Sequence, residues 1–279
     1  MTETRPPRPI GAEIAGRILL DMLRAGDEGF VYEARRADGA VARLREWAPS
    51  ALAMRAENGA TLCARADSGE AFAEDRARFI AVAEAISALD RADLPQIDAV
   101  FEADGAAFVE ERPIAGRPAG AEPINDLRAL GLAAAEALAA MHRAGLLHLD
   151  VKPEHLILRG DGGAALVDPF SGRPIATPRR PTAAATPGYA ALELYWDGGR
   201  ADARTDVYAL AATLFALAVG RPPKPAPARA AGGAEVDGDD AEGAAAMPPL
   251  LWRAVRAGLA ADPRDRPADA DAFAALLRA

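Results

Sequence analysis

Hydrophobic positions in this chain follow a strand-like spacing at first and a helical one later. Three short stretches near Arg17–Leu23, Gly29–Arg36 and Ala40–Glu46 read as strands, and Asp38-Gly39 supplies a hairpin turn, so an antiparallel meander is predicted. A segment with Trp47, Pro49 and Asn58-Gly59 leads to a helix from about Glu70 to Leu89, where Phe72, Phe79, Ala83 and Ile86 share one face. Strands at Ile97–Glu102 and Ala106–Glu110 flank the turn Ala103-Asp104-Gly105. Five strands and one helix make a small unit. From Asn125 the spacing turns helical: Leu127, Leu130, Ala134, Leu138 and Met141 line one face until Gly145 stops the helix. Further helices are expected at Ala203–Val219, about Leu250–Ala260 and about Ala268–Leu277. Two segments lack such a pattern. Residues 1–16 are polar and Pro-rich and read as a flexible lead-in; residues 221–248, low in complexity and acidic, read as a mobile surface loop.

Composition narrows the function. Of 279 residues, 51% are hydrophobic but only 5% aromatic, so the core must be built from Leu, Val, Ile and Ala. A net charge of -9, without any Lys/Arg cluster interleaved with aromatics, excludes a nucleic-acid footprint. Cys63 is the single cysteine, which excludes a disulfide framework and a cysteine zinc set. The apolar run Tyr208–Val219 is too short to span a bilayer and the start lacks a signal-peptide core, so a cytoplasmic protein without a membrane span is expected.

The candidate chemistry lies in His148-Leu149-Asp150-Val151-Lys152-Pro153-Glu154-His155-Leu156, and in Asp168 behind the apolar run Ala164–Val167. This pattern resembles the catalytic loop and metal-binding Asp of eukaryotic-like protein kinases. Further motifs follow in the family's order. Thr186-Pro187-Gly188-Tyr189-Ala190-Ala191-Leu192-Glu193 resembles the end of the activation loop, Thr205-Asp206-Val207-Tyr208-Ala209-Leu210 the start of the central large-lobe helix, and Asp262-Pro263-Arg264-Asp265-Arg266-Pro267 the site whose last Arg pairs with Glu193. The resemblance is nearest to bacterial serine/threonine kinases and covers residues 17–279. It implies an α+β, two-lobed protein-kinase-like fold, with a small antiparallel β lobe and one helix at 17–112 and a larger, mainly helical lobe at 113–279.

In the family's register, Asp150 is the base, Lys152 meets the transferred phosphate and Asp168 holds magnesium. Glu46-Trp47-Ala48-Pro49, with Leu52, Ala53 and Arg55, sets the register of the small lobe. Arg45 then falls where the phosphate-binding Lys belongs, and Leu23–Gly29 falls on the Gly-rich phosphate loop, keeping only Gly26 and Gly29. The helix partner of that Lys falls on Val82, with Glu84 two residues away on another face. Glu111 takes the gatekeeper position and Arg112-Pro113-Ile114 the hinge beside the nucleotide.

Departures from the family bear on activity. Asp27 and Glu28 add negative charge beside the phosphates, Arg45 replaces a compact ammonium by a planar fork, and His155 replaces the Asn that holds a second metal ion. Magnesium prefers oxygen, so a site with imidazole suits Mn²⁺ better. Pro169 stiffens the backbone after Asp168. Leu149 stands where many kinases have Arg, so phosphorylation at Thr177, Thr182 or Thr186 is not the expected switch. His148 is read as a brace within its loop and His142 as a residue of the preceding helix.

Three functions remain open: a pseudokinase with weak or absent phosphotransfer that acts by nucleotide-gated protein binding, an active atypical serine/threonine kinase, and a kinase-like enzyme of other chemistry. The cofactors implied are ATP with Mg²⁺ or Mn²⁺. ATP or ADP and a protein are the implied partners.

Overall fold

The computed structural model describes residues 5–121, 123–174, 186–196, 199–231 and 234–279. It separates into two compact units, one comprising the chain up to Asp90 with Pro95–Pro113, the other Arg91–Leu94 with Ile114–Ala279.

The first unit is an antiparallel sheet in the order β1-β2-β3-β4-β8-β7. Its strands are β1 (Glu13–Ile14), β2 (Arg17–Gly26), β3 (Gly29–Arg35), β4 (Val41–Trp47), β7 (Ile97–Ala103) and β8 (Ala106–Glu111). β2 and β3 meet at the pair Gly26↔Gly29, which leaves Asp27-Glu28 as a two-residue turn. Gly29 is required here. Its φ is 149°, and a Cβ would collide with the carbonyl oxygen of Glu46 on β4. The segment before the helix forms a small extra hairpin, β5 (Ala53–Arg55) with β6 (Leu62–Ala64). Helix α1 (Gly69–Leu89) packs Phe72, Phe79, Val82, Ala83 and Ile86 inward. Trp47 meets it, donating from Nε1 to Asp75 at 2.9 Å with its ring 4.8 Å from Phe72.

The flexible lead-in expected at residues 1–16 is corrected for the described part, because its arginines find buried acceptors. Arg8 Nε donates to Glu46 at 2.8 Å, Nη1 reaches Asp104 at 2.8 Å, and the Arg8 amide donates to the Tyr32 hydroxyl at 2.8 Å. Glu46 is fully buried, and Arg55 donates to both of its oxygens, from Nη1 to Oε1 at 2.9 Å and from Nη2 to Oε2 at 2.8 Å. A buried carboxylate without cations would carry a large desolvation cost, and two guanidiniums offset it. Burial, followed by the Glu46 charge, pushes the Tyr32 hydroxyl pKa up.

The second unit is mainly helical. β9 (Arg117–Pro118) lines up with β11 (Leu156–Leu158) and β12 (Ala164–Leu166) in a small sheet, and β10 (Leu146–Leu147) pairs with β13 (Arg173–Pro174). Helix α2 (Leu127–Arg143) starts at Asp126, whose side chain accepts from the Ala129 amide. Helix α3 (Ala203–Val219) opens with a capping box of Asp202 and Thr205, and Gly220 ends it at φ 85°. It is apolar on nearly every side because the other helices surround it. Helices α6 (Pro249–Gly258) and α7 (Ala270–Arg278) complete the group.

The mobile loop expected at 221–248 is also corrected: it contains helices α4 (Ala226–Ala231) and α5 (Ala234–Ala246). Asp239 is the reason. It is fully buried and accepts from Arg229 Nη1 at 2.9 Å, Arg221 Nη2 at 3.1 Å and the Lys224 amide at 2.9 Å. Polar anchoring replaces the apolar burial that this composition cannot supply.

Candidate active site

The catalytic-loop residues converge in the second unit. Asp206, at the start of α3, is buried and accepts the amides of His148 and Leu149, each at 2.8 Å, with His142 Nε2 at 3.0 Å. Burial pushes its carboxyl pKa up, but the His142 and loop hydrogen bonds outweigh that and hold it below the usual carboxylate range. His148 is fixed by its neighbours. The Asp150 amide donates to its Nδ1 at 3.3 Å, so Nε2 carries the proton and donates to the Val167 carbonyl at 3.1 Å. Complete burial pushes its pKa down and keeps it neutral.

Held this way, Leu149 has φ 65°, a left-handed conformation, and Asp150 projects beside Lys152 and Thr186. Lys152 Nζ lies 2.7 Å from Asp150 Oδ2, and the Thr186 hydroxyl donates to Asp150 Oδ1 at 3.0 Å. Leu149, Thr186, Tyr189, Ala190 and Leu194 line a small cavity of about 10 Å³ next to Asp150, room for one water-sized group. An ammonium and a hydroxyl on opposite oxygens fix the carboxylate plane. Such a carboxylate can orient a substrate hydroxyl and take its proton, and the ammonium can meet phosphate oxygens.

His155 and Asp168 lie on the adjoining segments. His155 Nδ1 is 2.7 Å from the Asp150 carbonyl, so Nδ1 donates and Nε2 is directed to Asp168 Oδ2 at 3.3 Å. Asp168 has φ 66° and ψ 48°. A left-handed Asp ahead of proline is strained by about 1–3 kcal/mol. Buried Phe170, and Gly172 lodged against the Leu147 carbonyl, hold the segment in place. One carboxylate and one imidazole nitrogen at this separation fit a divalent cation that accepts nitrogen; they fit Mg²⁺ less well.

The residues assigned to the nucleotide fall in the first unit, apart from Ile114. Gly26 and Gly29 close the β2–β3 turn, whose Asp27 and Glu28 carbonyls accept the Ser50 and Ala48 amides at 2.7 and 3.0 Å. Arg45 is on β4 and donates from Nε to Glu111 of β8 at 2.9 Å. Arg112 does not join them. Its side chain is exposed and bonds Asp98 at 2.8 Å. Val82 is buried and Glu84 exposed, as their register implied. Arg266 binds Glu193 with Nη1 at 2.8 Å and Nη2 at 3.2 Å, in agreement with the expected pair.

Parts of the chain are similar to known proteins. Residues 117–242 match the protein kinase domain family. A solved structure titled "PpkA-294 apo form" superposes with a TM-score of 0.75 over 97% of this chain and 99% of its own, at 24% identity. The chain has a protein-kinase fold. Curated relatives agree: the serine/threonine-protein kinase PknL of Mycobacterium tuberculosis is 35% identical over 149 residues, covering 51% of this chain and 37% of PknL. PkaB of Streptomyces coelicolor is 42% identical over 100 residues, 32% of this chain and 24% of PkaB, and AfsK of the same organism is 29% identical over 231 residues, 78% of this chain and 26% of AfsK. The match to each relative spans well under half of that relative's length. Among the described residues no helix is long and apolar enough to cross a membrane.

Three features of this kinase fold escaped the sequence reading. Thr186 is expected neither as a switch nor as a partner of the catalytic loop, yet its hydroxyl bonds Asp150. The Arg45–Glu111 pair and the anchoring role of Arg8 were also missed. Strand alternation on β4 and β8 could have suggested the pair; no local signal marked Arg8. Thr177 and Thr182 lie outside the described residues.

Proposed function

We propose that this chain is a nucleotide-dependent, protein-binding domain of bacterial serine/threonine kinase type, with weak or absent phosphotransfer. The observation that carries this reading is His155 Nε2 at 3.3 Å from Asp168, which puts an imidazole where a metal-bound phosphate needs oxygen donors. Asp168 and His155 would hold a divalent cation, and a bound cation would neutralise the charge of ATP phosphates. Gly26, Gly29 and Arg45 would meet those phosphates, while Glu111 and Ile114 would border the base. Asp27 and Glu28 oppose phosphate binding by like charge. A protein ligand is favoured by the Glu193–Arg266 pair, which braces the segment that supports a peptide in kinases.

A second reading, an active atypical kinase transferring the ATP γ-phosphate to protein hydroxyls, is favoured by one specific observation. Asp150, Lys152 and Thr186 retain a hydrogen-bonded arrangement suited to orienting a hydroxyl. Catalytic groups act as a unit, so an altered metal site should dominate over an intact base.

The test is a thermal-shift titration with ATP and ADP, each with Mg²⁺, Mn²⁺ or no metal, and with Asp168→Ala as control. A ligand that binds only the folded state raises Tm. The expected result is a metal-dependent rise that the control loses. No rise at millimolar nucleotide would overturn nucleotide gating, and rapid labelling of a protein substrate would favour the second reading.

A further inference from the structure

On β4, Arg43, Arg45 and Trp47 project from one face of the sheet, and Trp47 touches α1 through Asp75 and Phe72. The helix therefore packs on the face that carries Arg45. It offers that face Phe79, Val82 and Ile86, all buried. Its acidic residues are placed elsewhere: Asp75 bonds Trp47 and Arg78, and Glu70, Glu74 and Glu84 are exposed.

A carboxylate reaches Arg45 from within the sheet. β4 and β8 pair with Arg45 opposite Val109 and Arg43 opposite Glu111, so Glu111 is the diagonal neighbour of Arg45 on the same face. Arg45 Nε donates to Glu111 Oε1 at 2.9 Å, with side chains only 15% and 7% exposed. Both groups are shielded from bulk water, so the pair is charge-assisted and weakly screened. A guanidinium is planar, and a carboxylate at Nε fixes the plane in which its other donors lie. An ammonium offers no such plane.

From this geometry we infer that Glu111 is the positioning residue for Arg45, fixing from within the sheet the direction in which the guanidinium meets an anionic phosphate. The inference rests on the nucleotide reading above and deepens it. One consequence follows: Glu111 acts on the phosphate end of a nucleotide, through Arg45.

The experiment has two arms. In the first, urea unfolding is measured for wild type, Arg45→Met, Glu111→Gln and the double variant. Coupled residues give non-additive losses, so the double variant should lose clearly less than the sum of the singles. In the second, ADP and adenosine are titrated calorimetrically, with Mn²⁺, into wild type, Glu111→Gln and Glu111→Asp. The expected result is a loss of about tenfold in ADP affinity in Glu111→Gln, from the lost charge-assisted bond. Adenosine affinity should fall clearly less than ADP affinity, and Glu111→Asp should recover part of the loss. Additive unfolding losses would overturn the pairing, and equal losses for ADP and adenosine would overturn the positioning role. Absence of ADP binding to wild type would overturn the nucleotide reading, while the urea arm alone still upholds or overturns the coupling.

Discussion

At Asp168 the chain sets an imidazole 3.3 Å from a carboxylate, and the Asp150 carbonyl fixes which imidazole nitrogen faces it. A cation bound there must accept nitrogen. Wild type is therefore expected to show a larger nucleotide-dependent Tm rise with Mn²⁺ than with Mg²⁺, and His155→Asn, which restores an oxygen donor, should narrow or reverse that order. Equal responses to both metals in wild type would remove His155 from the metal site. The identity of this residue was legible in the sequence because His155 lies at a fixed offset from Asp150. Its tautomer was not, because that depends on a carbonyl five residues away in the chain folding back to 2.7 Å.

Helices α4 and α5 show how one polar residue can organise an element. Asp239 is fully buried between Arg229 and Arg221, and removing it would leave Arg229, whose side chain is 6% exposed, without its charge partner. Asp239→Ala is expected to cost about 3 kcal/mol in chemical denaturation, the usual loss for breaking a buried pair. A change below about 1 kcal/mol, the range of exposed pairs, would mean that α4 and α5 contribute little to the fold. Composition predicted a loop because it counts apolar residues. It cannot anticipate that one Asp of an acidic run will be enclosed by arginines. Arg8 and Glu46 repeat the lesson in the first unit, across 38 residues of sequence.

For the molecule as a whole, His148 and Asp206 tie stability to pH. Burial lowers the His148 pKa in the folded state, so below the unfolded value of about 6.5 the unfolded chain binds the extra proton. Stability is fully present above that pH and falls as pH drops through it. Asp206, also lowered, contributes its loss only at more acid pH, near and below the carboxylate range. The global Tm should fall from pH 7 to pH 5, and His148→Asn, which keeps a donor for the Val167 carbonyl without titrating, should flatten that fall. An equally steep profile in the variant would assign the pH dependence to other groups.

The sequence by itself determined most of the strands and helices and the catalytic-loop pattern, while the Glu193–Arg266 pair was legible only through the family resemblance. Periodicity, capping residues and fixed motif spacing are local properties, and a chain carries them before it folds. Only tertiary structure decided that residues 5–16 dock, that 221–248 contains helices, that Thr186 bonds Asp150 and that Glu111 holds Arg45. Each of these depends on a charged or polar group finding a partner distant in sequence. Burial makes such a partner decisive, and only the fold determines which groups are buried together.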